Sequence, residues 1–360
     1  MTAGYDAVVI GAGPAGSTSA RGLARRGLRV LLVDRAHFPR PKVCGCCLNP
    51  RALATLARIG LGSLAGRLGA VPLTGLELAT GRRRATLHHA LGVALSRDAL
   101  DAALVDEAVA AGAEFQPGAS ATLATGGVRL RTGDESREVG ARFVVSATGL
   151  GDGLFPADDR ARPSPRSKLG AGTILDAAPD GYAPGRVFMA CGAGGYVGLV
   201  ALEDGRLDVA AALDPAAVRE AGGPGALASA ILAGTRLPGA PGLAEARWRG
   251  TPALWRSPGR VVEGGVFRVG DSAGYVEPFT GEGMAWALAG GEALAATLAD
   301  DPDPARRWAR EHRRIVRDRQ LACRAVARVL RSPGMTRALV AALGRRPGLA
   351  RPLLWAMHRE

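Results

Sequence analysis

The beginning of the chain contains two short apolar runs separated by an amphipathic segment. The runs YDAVVIG and LRVLLVD are apolar over the length of a strand, which is typical of buried parallel strands. Between them, Ala20, Leu23 and Ala24 fall on one face of a helix that Gly27 can end. The pattern predicts a β–α–β unit in the first part of the chain.

Helical and strand-like patterns divide the rest of the chain into further regions. The segment PRALATLARIG can start a helix at Pro50, and SRDALDAALVDEAVAAG can be capped by Ser96 and ended by Gly112. From about residue 153 to 260 the pattern indicates short strands separated by Pro and Gly. The segment GGVFRVGDSAG then predicts one more buried strand, followed by helices. This order predicts an α/β fold with an inserted β-rich region and a C-terminal helical tail.

Length and composition exclude several classes of protein. A chain of 360 residues, 47% of them hydrophobic, can bury one elaborate domain or two interleaved ones. No apolar run reaches the roughly 18 residues that a membrane-spanning helix needs. The N-terminus lacks the features of a secretory signal, and the five cysteines do not form a disulfide framework. We therefore expect a soluble, cytoplasmic enzyme.

The formal net charge of +13 is concentrated at one end of the chain. Residues 304–360 contain fifteen arginines but only Glu311, Asp318 and Glu360 as acidic residues, so they hold twelve of these net charges. The remainder of the chain is nearly neutral. A basic C-terminal region is therefore expected, rather than a basic protein throughout.

The motif GAGPAG follows the first predicted strand and precedes the first predicted helix. Gly11 permits a tight turn, Gly13 lets the backbone approach a pyrophosphate, and Gly16 allows the helix to pack on the strand. The helix N-terminus favours an anion, and Asp34 at the end of the second strand can accept hydrogen bonds from a ribose. A dinucleotide site is predicted here.

A second glycine-rich motif lies more than 250 residues later. In VFRVGDSAGYVEPFTGEGM the predicted strand ends at Gly270 and Asp271, and residues 278–283 lead into a helix that begins near Met284. An extended FAD needs a carboxylate for its ribityl hydroxyls and a helix N-terminus at its flavin ring, whereas a simple NAD domain does not. The two motifs together predict FAD as the cofactor. The candidate cofactor-binding residues are Gly11, Gly13, Ala15, Gly16, Asp34, Arg35, Cys44, Gly45, Arg97, Gly270, Asp271, Pro278, Gly281, Gly283 and Met284.

These motifs, with the strand GARFVVSATG between them, resemble the FAD-dependent superfamily of para-hydroxybenzoate-hydroxylase-like enzymes. Within it, the segment Lys42–Gly45 is similar to the K-x-C-G loop of the geranylgeranyl reductase family. The resemblance covers roughly residues 5–300. It implies that Arg97 lies along the FAD, although a solvated arginine at a helix start is an equal alternative.

The resemblance also suggests how the chain is divided. A discontinuous, Rossmann-like FAD-binding domain would comprise residues 1–73, 97–152 and 261–300. A substrate-binding β-sheet domain would comprise residues 74–96 and 153–260. Residues 301–360 would form the basic helical C-terminal region.

The segment VCGCCLNP places Cys44, Cys46 and Cys47 within four positions. A zinc site needs four ligands, and no second Cys/His pair stands at a familiar spacing, so no metal is expected. The resemblance puts this loop against the flavin on the substrate side. There Cys44 can tune the flavin or donate a proton, while Cys46 and Cys47 have structural packing as an equal alternative.

Three departures from related enzymes affect the predicted reaction. Thr148-Gly149 replaces an Asp-Gly pair that serves NAD(P)H in hydroxylases, so the external reductant is left open. The aromatic clamp of geranylgeranyl reductases is largely missing around residues 195–200. Flavin-dependent halogenases need a WxWxIP stretch that this chain lacks. Hydride transfer to a double bond is expected, with hydroxylation as the alternative.

The β-rich region predicts an apolar substrate, because it supplies aromatic and aliphatic side chains and no paired carboxylates. Tyr196 is the candidate acid or hydroxyl anchor there. The other candidate lining residues are Tyr182, Phe188, Met189, Leu199 and Trp255. Ordinary core packing is the alternative for each of these aromatic residues.

The C-terminal region can place Trp308, Ile315, Ala322, Val326 and Val329 as an apolar stripe on a basic helix. Such a helix can contact an anionic membrane or an acidic carrier protein, or can simply pack on the FAD domain. With aromatic residues at 4%, no nucleic-acid partner is expected. A flavin-dependent RNA-modifying enzyme and a non-catalytic FAD-fold binding protein are the less favoured functions.

Overall fold

The fold was analysed in a computed structural model that describes residues 4–151, 154–155, 162–257, 260–277, 279 and 281–351. The first nine strands are β1 (Tyr5–Ile10), β2 (Val30–Val33), β3 (Cys47–Leu48), β4 (Val71–Thr80), β5 (Arg83–Ala94), β6 (Glu114–Gln116), β7 (Ser120–Ala124), β8 (Gly127–Thr132) and β9 (Glu135–Ser146). The other nine are β10 (Arg162–Pro163), β11 (Leu169–Leu175), β12 (Arg186–Gly192), β13 (Gly195–Ala201), β14 (Leu207–Leu213), β15 (Arg249–Ala253), β16 (Arg256–Ser257), β17 (Val262–Glu263) and β18 (Val266–Arg268).

The α-helices are α1 (Pro14–Ala24), α2 (Pro50–Arg58), α3 (Leu64–Arg67), α4 (Arg97–Ala110), α5 (Pro215–Glu220), α6 (Pro224–Ala233), α7 (Gly283–Asp300), α8 (Pro304–Leu330) and α9 (Pro333–Arg345). The helices predicted after Pro50 and Ser96 are present, and Asn49 and Ser96 cap them by accepting hydrogen bonds from main-chain amides. The predicted β-rich insert also contains α5 and α6. Each of these begins with a proline at its first turn, which is a helix start signal. The sequence analysis predicted only strands in this region and did not use that signal.

The first sheet has a parallel core in the order β18-β9-β1-β2-β6. Helices α1, α4 and α7 cover one face of this core, where Leu23, Val105 and Leu294 pack together. The antiparallel strands β7, β8 and β9 cover the opposite face, where Val8 meets Val128. This is the doubly covered parallel sheet that the apolar runs predict, and the Rossmann-like α/β fold is confirmed.

The second sheet has the order β15-β11-β14-β13-β12-β4-β5-β3. One of its faces is covered by α5 and α6, and the other is covered by α9 and by loops of the first domain. The sheet therefore joins strands of the insert to β3, β4 and β5 from the first hundred residues. The domain boundaries given above stay a prediction, since β3 and the start of β4 lie within the segment that was assigned to FAD binding.

The long helix α8 packs on the first domain with a buried face that differs from the predicted stripe. Trp308, Val316, Cys323 and Ala327 are buried, while Ile315, Val326 and Val329 are half-buried. The side chain of Ala322 lies outside the described residues. Trp308 belongs to both the predicted stripe and the buried face, and its indole nitrogen donates a hydrogen bond of 3.0 Å to the Arg268 carbonyl oxygen.

Candidate active site

The first glycine turn connects β1 to α1. Gly11 has a φ of 102°, which favours glycine, and a Cβ at Gly16 would collide with the Gly11 carbonyl oxygen. Helix α1 starts without a capping side chain at Gly13, so the amides of its first turn need another acceptor. A pyrophosphate fits this requirement, because its oxygens accept hydrogen bonds and its charge is favoured at a helix N-terminus.

Asp34 lies at the end of β2, where the sequence predicts a ribose-binding carboxylate. It accepts hydrogen bonds from the amides of Ala12, at 2.8 Å, and Ala36, at 2.9 Å. These bonds fix the carboxylate beside the glycine turn. Arg35, the next candidate residue, is exposed at the protein surface.

The second glycine turn meets the first in space. A Cβ at Gly270, whose φ is 66°, would lie 2.8 Å from the Cβ of Ala15. Helix α7 crosses α1 closely as well, since a Cβ at Gly291 would lie 2.7 Å from the Ala15 carbonyl oxygen. Two motifs more than 250 residues apart therefore form one site, which an extended dinucleotide can span.

The residues of the second motif lie around the start of α7. Burial raises the pKa of Asp271 to about 6, while Lys42 and Arg97 oppose this rise. Gly281 has a φ of 67°, and α7 begins at Gly283, one residue before the buried Met284. Pro278, another candidate residue, lies outside the described residues.

A set of charged side chains surrounds the two turns. Arg97 donates two hydrogen bonds of 2.8 Å to Asp101, which also lies 3.5 Å from Arg40. The guanidinium groups of Arg40 and Arg97 lie 3.8 Å from the point where Gly13 would carry a Cβ. Burial lowers the pKa of Lys42 nearby. Two guanidinium groups, each paired with a carboxylate, thus face the turn predicted to bind phosphate, and Arg97 lies where a residue alongside FAD is expected.

The cysteine loop leads from this site into the second sheet. All five cysteines are free thiols, and Cys47 begins β3 while Cys46 has a φ of 49°. A hydrogen bond from Cys46, helped by the charge of Arg97, lowers the pKa of Cys44 to about 5. Cys44 is therefore ionised at neutral pH. Gly45 links the two thiols and is exposed.

Asp208 is a site residue that the sequence analysis did not find. It lies on β14 in a run of apolar residues, and its carboxyl is buried and interacts with the Cys46 thiol. Burial, and the nearby Cys44 charge, raise its pKa well above the usual range. The one signal in the sequence was that Asp208 is the single acidic residue within LDVAAAL. That signal does not show that strand pairing brings Asp208 to the cysteine loop.

An apolar layer lies between the second sheet and the first domain. Tyr196 is buried there beside Met189, and its ring meets that of Phe279 edge-on at 5.2 Å between centroids. Its hydroxyl makes no well-formed hydrogen bond with the described residues. A polar group of a substrate can satisfy this hydroxyl.

Two further residues missed by the sequence analysis border this layer. One carboxylate oxygen of Glu277 accepts a hydrogen bond of 2.8 Å from Arg331, and the other is buried without a partner among the described residues. Tyr275 lies against Gly283, and Asp271 and Cys44 are near enough to add to the rise in its pKa caused by burial. Tyr275 therefore lies between the cysteine loop and the apolar layer.

The structure divides the other predicted lining residues between two faces of the second sheet. Tyr182, Phe188 and Leu199 pack under α5 and α6, on the face away from Tyr196. These three residues pack in the core, which was the alternative given above. Phe188 and Leu199 stand an odd number of positions from Met189 and Tyr196 on β12 and β13 and so point to the opposite face, and Tyr182 packs on that face from the loop before β12. Trp255 lies near the site, with the Arg331 guanidinium 4.9 Å from its ring centroid.

Two negative findings hold for the part of the chain that the structure describes. No group of His, Cys, Asp and Glu side chains there is arranged to hold a metal ion. In the same residues, no helix combines the length and the apolar character needed to cross a membrane.

Comparisons with known proteins agree with this geometry. Residues 4–152 match the family described as "FAD binding domain". A menaquinone reductase of Mycolicibacterium smegmatis is 54% identical over 63 residues, which are 18% of this chain and 15% of that protein. Digeranylgeranylglycerophospholipid reductase 1 of Methanopyrus kandleri is 36% identical over 154 residues, which are 41% of this chain and 40% of that protein. The chain thus spans less than half of the length of these relatives.

Solved structures extend the similarity to the whole fold. A flavin-dependent brominase superposes with a TM-score of 0.76 at 15% identity, covering 98% of this chain and 94% of the other. A geranylgeranyl bacteriochlorophyll reductase-like protein of Thermoplasma acidophilum superposes with a TM-score of 0.70 at 19% identity, covering 97% and 98%. At these identities the likeness shows the fold alone. The predicted para-hydroxybenzoate-hydroxylase-like fold and the FAD-binding domain are confirmed.

Proposed function

We propose that this chain, whose residues 4–152 form an FAD-binding domain, is an FAD-dependent oxidoreductase that reduces a carbon–carbon double bond in an apolar, isoprenoid-like molecule. The observation that carries the proposal is the meeting of Ala15 with Gly270. This contact joins the two glycine turns into one extended site. The cysteine loop and Tyr275 lie at the end of that site near the apolar layer.

Reduced FAD supplies either a hydride or, together with dioxygen, an oxygen atom to a substrate. The chain supplies the position and the proton. Asp34 and the first glycine turn would hold the adenosine and pyrophosphate parts, and Asp271 the ribityl hydroxyls. The start of α7 at Gly283 would face the flavin ring, where a helix N-terminus favours negative charge.

The protons needed for reduction are held by a row of three side chains. Cys44 is ionised beside Arg97, the Cys46 thiol lies next to it, and burial raises the pKa of the Asp208 carboxyl, which interacts with Cys46, well above its usual range. A protonated Asp208 would return a proton to Cys46 while Cys46 passes its own proton to Cys44, which would leave Cys44 neutral and Asp208 ionised. Cys44 would then deliver its proton to the substrate carbon. The catalytic role of Cys44 stays a prediction, and in this proposal it acts through the row rather than as one thiol.

The substrate class follows from the apolar layer and its two unsatisfied polar atoms. An isoprenoid chain would lie against Met189 and Phe279 and exclude water. The Tyr196 hydroxyl and the Glu277 carboxylate would bind one hydroxyl or carbonyl group of the substrate. Two proteins that this chain resembles are named as reductases of menaquinone and of a digeranylgeranyl phospholipid. Both of these molecules carry an isoprenoid chain, which agrees with the proposed substrate class.

A monooxygenase reaction is the alternative function. Squalene epoxidase of Saccharomyces cerevisiae is 38% identical over 71 residues, which are 20% of this chain and 14% of that protein. That enzyme is named for the transfer of oxygen to squalene, an apolar isoprenoid. Thr148-Gly149 leaves the electron donor undecided for both reactions. A cytoplasmic location and a contact of the α8 arginines with a membrane or an acidic carrier also remain proposals.

Anaerobic single-turnover experiments test the proposed reaction. The purified holoprotein is first mixed with NADH and with NADPH, and is then reduced chemically if neither nucleotide bleaches the flavin. Geranylgeranyl diphosphate or menaquinone is added without oxygen, and the flavin absorbance and product mass are followed. We expect the flavin to reoxidise and the product to gain two hydrogen atoms.

The variants Cys44→Ser and Asp208→Asn, compared with Cys323→Ser in helix α8 outside the apolar layer, locate the proton source. We expect FAD to remain bound in all three and turnover to fall at least about tenfold in the first two. Product that gains an oxygen atom, and only after air is admitted, would establish the monooxygenase instead. A colourless protein that does not take up FAD would refute both functions.

A further inference from the structure

An open groove with a volume of about 620 Å³ lies where the β4–β5 turn meets α9. Five of its seven lining residues are arginines from three separate segments. The groove is lined by Arg82, Arg83, Arg84, Arg236, Ala341, Gly344 and Arg345, and is called the arginine groove below.

The tertiary structure builds the arginine groove through a close approach of α9 to β5. A Cβ at Gly344 would lie 2.7 Å from the Arg84 carbonyl oxygen, so glycine is needed at that contact. Arg83 donates a hydrogen bond of 3.0 Å to the Arg337 carbonyl oxygen on the same helix. Ala341 and Gly344 of α9 thus line the groove together with the five arginines.

The charge of the arginine groove is mostly uncompensated within the protein. Glu77 accepts a hydrogen bond of 2.8 Å from Arg84, but it is shared with Arg186. Among the described residues, no carboxylate pairs with Arg82, Arg236 or Arg345. Several like charges in one concave surface repel one another unless an anion or solvent ions offset them.

The arginine groove is separate from the candidate active site but shares a helix with it. Val340 and Leu343, which neighbour the lining residues Ala341 and Gly344 on α9, pack in the apolar layer that contains Tyr196. Helix α9 therefore borders both the layer proposed for an isoprenoid chain and a positively charged concavity.

We propose that the arginine groove binds the phosphate or diphosphate group of an amphiphilic molecule. The planar guanidinium group forms paired hydrogen bonds with phosphate oxygens, and an excess of arginines over carboxylates selects a multiply charged anion. Two sources share this chemistry, a soluble isoprenoid diphosphate and the headgroup of an anionic phospholipid. The proposal does not depend on the flavin reaction, although it would place the charged end of an amphiphile beside the apolar layer.

Calorimetric titration of the holoprotein with inorganic pyrophosphate tests the site. The groove variant Arg82→Gln/Arg236→Gln/Arg345→Gln is compared with the control Arg131→Gln/Arg219→Gln/Arg324→Gln, which removes the same charge from exposed positions elsewhere. We expect saturable binding of about one pyrophosphate per chain, weakened about tenfold or more in the groove variant and less than about threefold in the control. Flavin absorbance and the midpoint of thermal unfolding show that both variants remain folded.

Vesicle sedimentation distinguishes the two sources of phosphate. Retention on phosphatidylglycerol vesicles but not phosphatidylcholine vesicles, lost in the groove variant and displaced by pyrophosphate, would identify the lipid headgroup. Pyrophosphate binding without vesicle retention would identify the soluble diphosphate. Absence of saturable pyrophosphate binding, or equal losses in the two variants, would overturn the proposal even if the flavin reaction proceeds as proposed above.

Discussion

The thiol of Cys44 lies between Cys46, which hydrogen-bonds to it, and Arg97, whose guanidinium is held by Asp101. Both neighbours stabilise the thiolate, although burial opposes them. The neighbouring Cys47 has the opposite environment, since burial and the Asp208 carboxyl raise the pKa of its thiol. Two cysteines three positions apart therefore differ in ionisation.

We expect Cys44 to react with iodoacetamide from about pH 6 upward, because its thiolate is populated above a pKa of about 5 and is lost only as the pH falls through that value. An ordinary thiol with a pKa near 8.5 reacts little at that pH. Tandem mass spectrometry of the peptide that contains both residues measures the labelling, and Cys47 serves as the internal control. Equal labelling of Cys44 and Cys47 between about pH 5 and 7 would contradict the assignment.

Asp271 destabilises the apoprotein when it is ionised, because its half-buried carboxylate is partly removed from water. The pKa is raised from 3.8 to about 6, so the folded state binds the proton more tightly than the unfolded state, and stability falls as the pH rises through this window. We expect Asp271→Asn to increase the free energy of unfolding of the apoprotein at neutral pH by up to about 3 kcal/mol, with little gain near pH 4. Denaturant unfolding at the two pH values measures this difference.

The matched control for Asp271→Asn is Asp101→Asn, which removes a carboxylate that accepts two hydrogen bonds from Arg97. That variant should lose stability at neutral pH, because it leaves Arg97 with a weaker partner in a buried place. Asp271→Asn should also weaken FAD binding if the carboxylate holds the ribityl hydroxyls. A stabilised variant with unchanged affinity for FAD would refute that role.

Secondary-structure elements meet in this protein through small residues. Helices α1 and α7 cross where Gly291 faces the Ala15 carbonyl oxygen, and Gly270 faces the Ala15 side chain at the same crossing. Because these contacts also bring the two glycine turns together, the packing of one helix pair determines the geometry of the candidate cofactor site. The strand and helix that carry each motif were predicted from sequence, as was the convergence of the two turns, but the residues through which they touch were not.

We expect Gly291→Ala to cost at least about 2 kcal/mol in free energy of unfolding, since the added methyl group would meet main-chain atoms that cannot move independently. FAD affinity should fall as well, because the two turns would separate. The control Gly66→Ala, in helix α3, adds a methyl group with no atom within 4 Å and should leave both quantities unchanged or raise stability slightly. Fluorescence titration with FAD and thermal unfolding measure the two effects. Equal stability and equal FAD affinity of the two variants would show that the crossing of α1 and α7 does not determine either quantity.

For the molecule as a whole, the C-terminal helices are part of the core rather than an appendage. Trp308 is fully buried against the first domain, and Val340 and Leu343 pack on the second sheet. The arginines of α8 at positions 306, 310, 313 and 314 belong to its basic surface, whose partners stay a prediction. Helices α8 and α9 thus connect the first domain to the second sheet.

Replacing Trp308 by alanine should destabilise the whole protein by about 3–5 kcal/mol, because a large buried side chain and its hydrogen bond to Arg268 are lost. Unfolding should remain a single transition for both sheets if the C-terminal helices join them. Arg313→Ala on the exposed face of the same helix is the control and should change stability by less than about 0.5 kcal/mol. Calorimetry measures both variants, and a separate low-temperature transition confined to the helices in Trp308→Ala would contradict the expectation.

Much of the local structure and of the cofactor site was determined by sequence alone. Apolar runs of strand length, glycines at fixed spacings and capping residues such as Ser96 act over a few positions, so β1, α1, β2, α2 and α4 could be predicted. The same short-range signals identified Asp34 and Asp271 as candidates, and the resemblance to the K-x-C-G loop pointed to Cys44. Their close grouping in space was a hypothesis that needed both glycine motifs.

Only the tertiary structure decided which distant residues share a site. Asp208 reaches the cysteine loop because its buried side chain interacts with Cys46, and Tyr182 leaves the predicted pocket because it packs beneath α6. The arginine groove likewise joins positions more than 250 residues apart. Burial, charge and pKa at these residues depend on neighbours that strand pairing and helix packing supply, and no local pattern in the chain contains that information.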